Sequence, residues 1–114
     1  MALININYES KTLGMPVMIN AIIPQGRGNY KTLYLLHGMG GDYTTWITKS
    51  RVADYVDNTD IAVIMISGDN KCFVDNVHGR KYFTFLTEEL IKTCTNWFGS
   101  SCDRKDRYIA GMSM

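Results

Sequence analysis

The sequence has only three cysteines, two prolines and two histidines, and it lacks a long hydrophobic run. Cys72, Cys94 and Cys102 form an odd set without metal-ligand or redox-motif spacing, so we expect free thiols and neither a disulfide framework nor a metal site. None of them lies at a strand-to-helix turn, which disfavours a cysteine nucleophile. Residues 1–8 lack the features of a signal peptide, and no apolar run could span a membrane, so the expected location is the cytoplasm.

An excess of charge of one sign is also missing. Twelve Lys and Arg residues nearly balance eleven Asp and Glu residues, for a formal net charge of +1. Without a basic patch or a basic amphipathic stretch, we expect no nucleic-acid partner and no membrane partner. The 46% of hydrophobic residues is typical of a globular domain, and small-molecule partners fit best. The seven tyrosines and Trp97 suit either an interface or a covered helix, which leaves a homo-oligomer open.

The hydrophobic pattern predicts an α/β fold. Alternation in residues 4–8 and 17–23, with a turn at 10–14, predicts an antiparallel hairpin. Unbroken apolar runs at 33–36 and 61–66 are typical of parallel strands that helices cover on both faces. We predict a short helix over 50–58 that Ser50 caps, and a last strand over 107–110. A longer helix is predicted over 81–98, with these residues at helical spacing: Tyr82, Phe83, Leu86, Leu90, Cys94 and Trp97.

The segment Gly-Met-Ser-Met at residues 111–114 directly follows an apolar strand. Nucleophile elbows place a serine on such a strand-to-helix turn, with small residues where the backbone passes close to the neighbouring strand. The turn lifts the hydroxyl above the sheet and directs the next N–H at an oxyanion. Ser113 is therefore a candidate nucleophile and Met114 a candidate oxyanion donor, although four residues alone fit an ordinary Gly-Ser turn better.

A second glycine-rich motif, LLHGMGGD at residues 35–42, ends the third predicted strand. Gly38 and Gly40 would let the backbone approach a substrate carbonyl, and the Met39 N–H is a candidate oxyanion donor. The alternative is a flexible link between strand and helix. Two such motifs in the correct order, each ending a core strand, favour the hydrolase interpretation.

Four segments together resemble the esterase branch of the α/β-hydrolases: SKTLGMPVMINAIIP, YLLHGMGGDYTTW, KYFTFLTEEL and DRYIAGMSM. This branch includes tributyrin and acetyl esterases, S-formylglutathione hydrolases, and feruloyl and acetylxylan esterases, and the resemblance spans nearly every residue. It implies an α/β-hydrolase sheet and a mechanism without metal or organic cofactor. It also implies roles for individual residues: a nucleophile (Ser113), oxyanion-hole N–H donors (Met39 and Met114), and substrate-binding positions (Gly38, Gly40 and Trp46).

Three residues have competing interpretations. Trp46 is either a wall of the substrate pocket or an anchor of the turn 43–48. His37 ends a buried strand, where we expect a structural role and not that of a catalytic base. His78 lies in the irregular stretch 69–79, where we expect a surface or substrate-rim position. In this fold the acid and the histidine of the triad follow the nucleophile, and neither is present after Ser113.

The predicted function is a serine carboxylic-ester hydrolase that cleaves short-chain acyl esters through an acyl-enzyme. Acetyl esters are the favoured substrates. An S-formylglutathione hydrolase-like thioesterase is the alternative within the class. A truncated, non-catalytic α/β module that binds a partner through its open sheet edge is the alternative outside it. We expect residues 1–114 to be the N-terminal half of a single domain that ends at the nucleophile elbow, and to be inactive alone, since a serine without a base is a weak nucleophile.

Overall fold

A computed structural model describes residues 1–26 and 28–114. This part of the chain forms a five-stranded sheet with the strand order β1-β2-β4-β3-β5. The strands are β1 (Ala2–Ser10), β2 (Met15–Ile23), β3 (Lys31–Leu36), β4 (Ile61–Ile66) and β5 (Arg107–Gly111). β2 pairs antiparallel with β1 and β4, whereas β4, β3 and β5 run parallel. The predicted α/β class, with an antiparallel start followed by parallel strands, is confirmed.

Helices connect the parallel strands. α1 (Thr45–Lys49) and α2 (Val52–Val56) lie between β3 and β4. α3 (Tyr82–Thr84) continues through a π-helical stretch, Phe85–Leu90, into α4 (Ile91–Phe98), and a 3-10 turn at Arg104–Asp106 precedes β5. The prediction missed α1, and α2 begins later than predicted. Ser50 lies one residue before the N-cap of α2, and its hydroxyl accepts the Val52 N–H at 3.2 Å.

The two faces of the sheet bury separate apolar cores. Ile64 of β4 packs with Leu86 in the larger core, on the side of the long helix, while Val63 packs with Val56 in the smaller core, on the side of α2. Successive strand residues point to opposite faces, so a strand covered on both sides needs an unbroken apolar run. Each fully buried side chain of this size stabilises the fold by about 1.5–3 kcal/mol.

The apolar stripe of the long helix differs from the prediction at two positions. Phe83 is 57% exposed and Trp97 is 48% exposed, whereas Phe85 is buried. A π-helical turn has i→i+5 hydrogen bonds and rotates less per residue than an α-helix, so a period of 3.6 misplaces side chains across it. Trp97 packs edge-on against Tyr8 of β1, with ring centroids 5.1 Å apart. The other predicted stripe residues are buried: Tyr82, Leu86, Leu90 and Cys94.

β5 lies at one edge of the sheet, and its side chains are poorly covered. Tyr108 is 49% exposed and Ile109 is 64% exposed. The three cysteines are free thiols, as predicted. Within residues 1–26 and 28–114, we found no helix long and apolar enough to cross a membrane.

The carboxylate of Glu89, on the long helix, holds the turn between β1 and β2. It accepts hydrogen bonds from the N–H groups of Lys11 and Thr12, at 3.2 and 2.8 Å. The hydroxyls of Ser10 and Tyr8 also donate to it, at 3.2 and 3.4 Å. Burial alone would raise the pKa of Glu89, but the bonds from Thr12, Ser10 and Lys11 outweigh burial, so the pKa is lowered.

We expect Glu89→Gln to destabilise the protein at neutral pH, because an amide offers this turn one acceptor oxygen and no charge. A lowered pKa in the folded state means that the ionised carboxylate stabilises the fold above the ordinary glutamate pKa of about 4.3. That contribution is lost as the pH falls through the lowered pKa. Urea unfolding midpoints of the wild type and the variant should therefore differ at pH 7 and converge in acid. Glu88→Gln, at the exposed neighbouring position, is the control, and equal effects of the two substitutions would contradict this role.

Candidate active site

Ser113 lies on a strained turn directly after β5. Its φ is 61°, in the left-handed region that side chains other than glycine rarely adopt. Two residues earlier, a Cβ on Gly111 would lie 3.3 Å from the Leu36 Cβ of β3, so that position has little room for a side chain. The Ser113 side chain is exposed. A strained, exposed serine that follows a close-packed glycine has the geometry of a nucleophile elbow.

The glycine-rich loop after β3 packs against this turn. β3 and β5 are parallel neighbours that pair Leu36 with Gly111, so their carboxyl ends open on the same edge of the sheet. A Cβ on Gly38 would lie 3.2 Å from the Met112 carbonyl oxygen and 3.4 Å from the Ser113 Cβ. The two motifs predicted to form the site are therefore in direct contact, with the 64% exposed Met39 immediately after Gly38.

His37 is 1% exposed, and both of its ring nitrogens bond to the backbone. Nε2 accepts the Gly68 N–H at 2.9 Å, so Nδ1 carries the proton and donates it to the Gly38 carbonyl oxygen at 2.7 Å. Phe73 packs edge-on against the imidazole, with centroids 5.4 Å apart. These bonds join the end of β3 to the loop after β4. They support the structural role of His37, because neither nitrogen is left to act on a serine.

The loop after β4 also supports the glycine-rich loop at Gly40, whose N–H donates to the Asn70 Oδ1 at 2.7 Å. Asn70, Cys72 and Phe73 of this loop have φ of 53°, 54° and 51°, a conformation that costs energy for cysteine and phenylalanine. Gly68 leaves room for the Phe73 ring, since a Cβ there would lie 2.5 Å from the Phe73 Cε1. Sequence reasoning missed this support. The sequence gives one sign of this contact, the polar stretch that follows the core strand β4.

The remaining predicted site residues have different surroundings. Trp46, on α1, is partly buried against the smaller core, and its indole N–H donates to the Leu36 carbonyl oxygen at 3.1 Å. This bond favours the anchor interpretation, because it occupies the one polar group of the side chain. Met114 is partly buried against the larger core. Gly40 has φ 77°, and His78 is exposed, as expected.

Within the described residues, no acid or base is hydrogen-bonded to the candidate nucleophile. Among the hydrogen bonds of residues 1–26 and 28–114, none joins Ser113 to a histidine or a carboxylate. Over the same residues, no group of three or more His, Cys, Asp and Glu side chains could hold a metal ion. The geometry thus brings together an exposed hydroxyl and the backbone of a glycine-rich loop, the two kinds of group that acyl transfer requires as nucleophile and as oxyanion donor.

A serine at the end of one parallel strand, with the glycine-rich loop of the neighbouring strand packed against it, is the arrangement of the α/β-hydrolases. The chain belongs to the family described as "Putative esterase", whose profile matches residues 10–114. The family resemblance seen in the sequence is confirmed.

Curated and solved relatives agree with this family. An acetyl esterase of Caldicellulosiruptor saccharolyticus is 32% identical in an alignment that covers 100% of this chain and 47% of that protein. The substrate-bound structure of FphF, a fluorophosphonate-binding serine hydrolase of Staphylococcus aureus, matches with a TM-score of 0.91 at 30% identity, over 96% of this chain and 46% of that one. The S-formylglutathione hydrolase FrmB of Staphylococcus aureus matches with a TM-score of 0.85 at 30% identity, over the same shares. The chain thus spans about half the length of these relatives.

Proposed function

We propose that residues 1–114 form the N-terminal half of a serine carboxylic-ester hydrolase domain that cleaves short-chain acyl esters. Acetyl esters are the proposed substrates within this class. The observation that carries this proposal is the contact of Gly38 with the exposed, strained turn of Ser113. The likeness to an acetyl esterase supports the acetyl group as the acyl part.

In this mechanism the Ser113 Oγ attacks the ester carbonyl carbon, and the carbonyl oxygen becomes an oxyanion. The N–H groups of Met39 and Met114 stabilise that oxyanion. Collapse of the tetrahedral intermediate breaks the bond to the alcohol, which leaves with a proton, and water then hydrolyses the acyl-serine. Gly38 and Gly40 keep the loop backbone free of side chains where the substrate carbonyl approaches. These steps require no metal or organic cofactor.

The proton of the Ser113 hydroxyl needs a base, and both nitrogens of His37 are already bonded to the backbone. We assign the base and its acid partner to the half of the domain that this chain does not span. Trp46 has no polar group free for the substrate, since its indole N–H is bonded to the Leu36 carbonyl oxygen.

Reaction with a fluorophosphonate probe tests the proposal in the full-length protein. We expect mass spectrometry of the digested protein to find the label on Ser113, and we expect Ser113→Ala and the 114-residue chain alone to remain unlabelled. A label on a different serine, or a folded full-length protein without any label, would overturn the assignment. The second of these results would favour a non-catalytic module that uses the open edge at Tyr108 and Ile109.

The likeness to FrmB supports a second candidate, a thioesterase that acts on S-formylglutathione. Both reactions use the same nucleophile and oxyanion hole. They differ in the acyl group, acetyl or formyl, and in the group that leaves, an alcohol or a thiol. Comparing kcat/KM for a neutral acetyl ester with kcat/KM for S-formylglutathione separates the two, and a higher value for the thioester would replace the acetyl-ester proposal.

We expect Gly38→Ala to lower kcat on a small acetyl ester by about 10–100-fold, because the added methyl group pushes the loop away from the Ser113 turn. Gly26→Ala is the matched control. Its Cβ would meet Tyr30 Cε1 at 3.4 Å, an ordinary contact, and neither glycine has a positive φ. Steady-state kinetics with a thermal melt for each variant measures the effect, and an unchanged kcat for Gly38→Ala would contradict the proposed oxyanion loop.

A further inference from the structure

The strand β1 forms the edge of the sheet opposite to β5. Within residues 1–26 and 28–114 its sheet neighbour is β2, which pairs with all nine of its residues. In an antiparallel pair, every second residue of a strand directs its N–H and C=O away from the neighbour. The outer side of β1 therefore presents a row of backbone donors and acceptors about 30 Å long, which is a template for a further strand.

β1 lacks the features that usually protect an edge strand from pairing. These features include proline, lysine, a β-bulge and a short length. The sequence of β1, ALININYES, contains neither proline nor lysine. Its register with β2 advances one residue at a time from Ala2 opposite Ile23 to Ser10 opposite Met15, so these nine pairs contain no bulge. A long, regular and unprotected edge is suited to pairing with another chain.

The residues of β1 are complementary to a second copy of the same strand. A two-fold axis through Ile6 would pair the strand with itself in antiparallel orientation and would use its whole length, with Ala2 opposite Ser10. Directly opposite residues of an antiparallel pair project to the same face of the sheet. Ile6 would then lie opposite Ile6, and Ile4 opposite Tyr8, on the side of the larger core. The apolar residues of the two copies would form one continuous row.

No like charges meet in this register. Glu9 is the one charged residue of β1, and Leu3 of the second copy would lie opposite it. Asn5 and Asn7 are exposed and would lie opposite each other, where amide side chains can both donate and accept hydrogen bonds. Because like charges directly opposite destabilise a strand pair, this pattern favours a second copy as the occupant of the edge.

An exposed aromatic ring lies beside the apolar row. Trp97 of α4 is 48% exposed and packs edge-on against Tyr8. Ile4 and Ile6 are only partly buried against the larger core. In the two-fold register, Ile4 of the second copy would lie opposite Tyr8 and next to the Trp97 ring. Pairing would thus cover apolar surface of both copies as well as satisfy the backbone groups.

We propose that β1 is a dimer interface, at which two copies of this chain pair antiparallel about Ile6 and join their sheets into one. Since residues of the same face meet, the long helices of both copies lie on the same side of the joined sheet. β1 and β5 are four strand spacings apart, roughly 19 Å. The interface is therefore independent of the proposed esterase function.

Sedimentation equilibrium of the full-length protein tests the interface, with two double variants at the same positions. We expect the wild type to be a dimer. Asn5→Lys with Asn7→Lys places lysine opposite lysine twice and should raise the dimer Kd by about 10-fold or more. Asn5→Lys with Asn7→Glu places opposite charges there and should return the Kd close to that of the wild type. Both variants lose the Asn5 bond to Asn20, so the comparison is matched in this respect.

Amide hydrogen exchange of the wild type checks the position of the interface without any substitution. Residues 2–10 should exchange more slowly as the protein concentration rises through the Kd, because the outward N–H groups become bonded. Fluorophosphonate labelling of Ser113 should be equal in the wild type and both variants, so a failure of the esterase proposal is recognised separately.

Three results would overturn the dimer interface. The first is a monomeric wild type, which is expected if another strand of the full-length protein covers β1. The second is an equal Kd for the two double variants, with thermal melts showing that both are folded. The third is a dimer in which residues 2–10 exchange at the same rate at all concentrations, since the copies would then meet at a different surface.

Discussion

Ser113→Ala should lower kcat/KM for a short acyl ester by about 10⁴-fold or more in the full-length protein. In the proposed mechanism, the substitution removes the oxygen that forms the acyl-enzyme, while the N–H groups of Met39 and Met114 remain to polarise the carbonyl. Any residual rate would come from those donors and from binding. The exposed position of the Ser113 side chain means that its loss disturbs no packing, so the Tm should stay close to that of the wild type.

Thr87→Ala is a suitable control for this experiment. It also deletes one hydroxyl, from the exposed side of the long helix, where that hydroxyl donates to the Phe83 carbonyl oxygen at 2.8 Å. Esterase activity that survives Ser113→Ala would eliminate the nucleophile assignment, even if the protein proves to be an esterase. Equal losses in both variants would show that the assay reports folding and not chemistry.

The strands were predictable because their signal is local. The alternation in β1 and β2 and the apolar runs of β3 and β4 follow from which faces are buried, and each face is visible in a short window of sequence. The π-helical stretch at Phe85–Leu90 was not predictable in this way, because a period of 3.6 assumes α-helical rotation throughout. Phe83 was therefore placed in the core, and Phe85 was left out of it.

The candidate site also has residues that a short stretch of sequence predicts and residues that it does not. Gly38 and Ser113 could be named as candidates because a glycine-rich turn and an elbow are each encoded within a few residues, and the structure brings the two into contact. Asn70 was missed because its bond to Gly40 joins residues 30 positions apart, and only the adjacency of β3 and β4 in the sheet reveals it. Glu89 was missed for the same reason, since its partners lie on the β1-β2 turn.

The largest expected loss of stability comes from His37→Ala, at about 2–5 kcal/mol of unfolding free energy. It leaves the buried Gly68 N–H without a partner and removes one of the two hydrogen bonds to the Gly38 carbonyl oxygen, which keeps the bond from the Gly41 N–H. It also opens a space beside Phe73. His78→Ala, at an exposed position, should change the free energy by less than about 0.5 kcal/mol. Urea unfolding of the full-length variants measures both values. His37→Gln, which offers one acceptor and one donor, should recover part of the loss.

The same variants distinguish a structural His37 from a catalytic base. A base acts on chemistry alone, so its loss would lower kcat by orders of magnitude in a protein of normal stability. The structural role predicts the opposite order of effects. The loss of stability should be large and the loss of kcat small. At a temperature at which His37→Ala is still folded, kcat should fall only to the extent that the glycine-rich loop has shifted at Gly38. Under this role His37 takes no proton from the substrate or from Ser113, so the folded variant should also keep the pH profile of the wild type. A lost limb of that profile would show that His37 acts as the base.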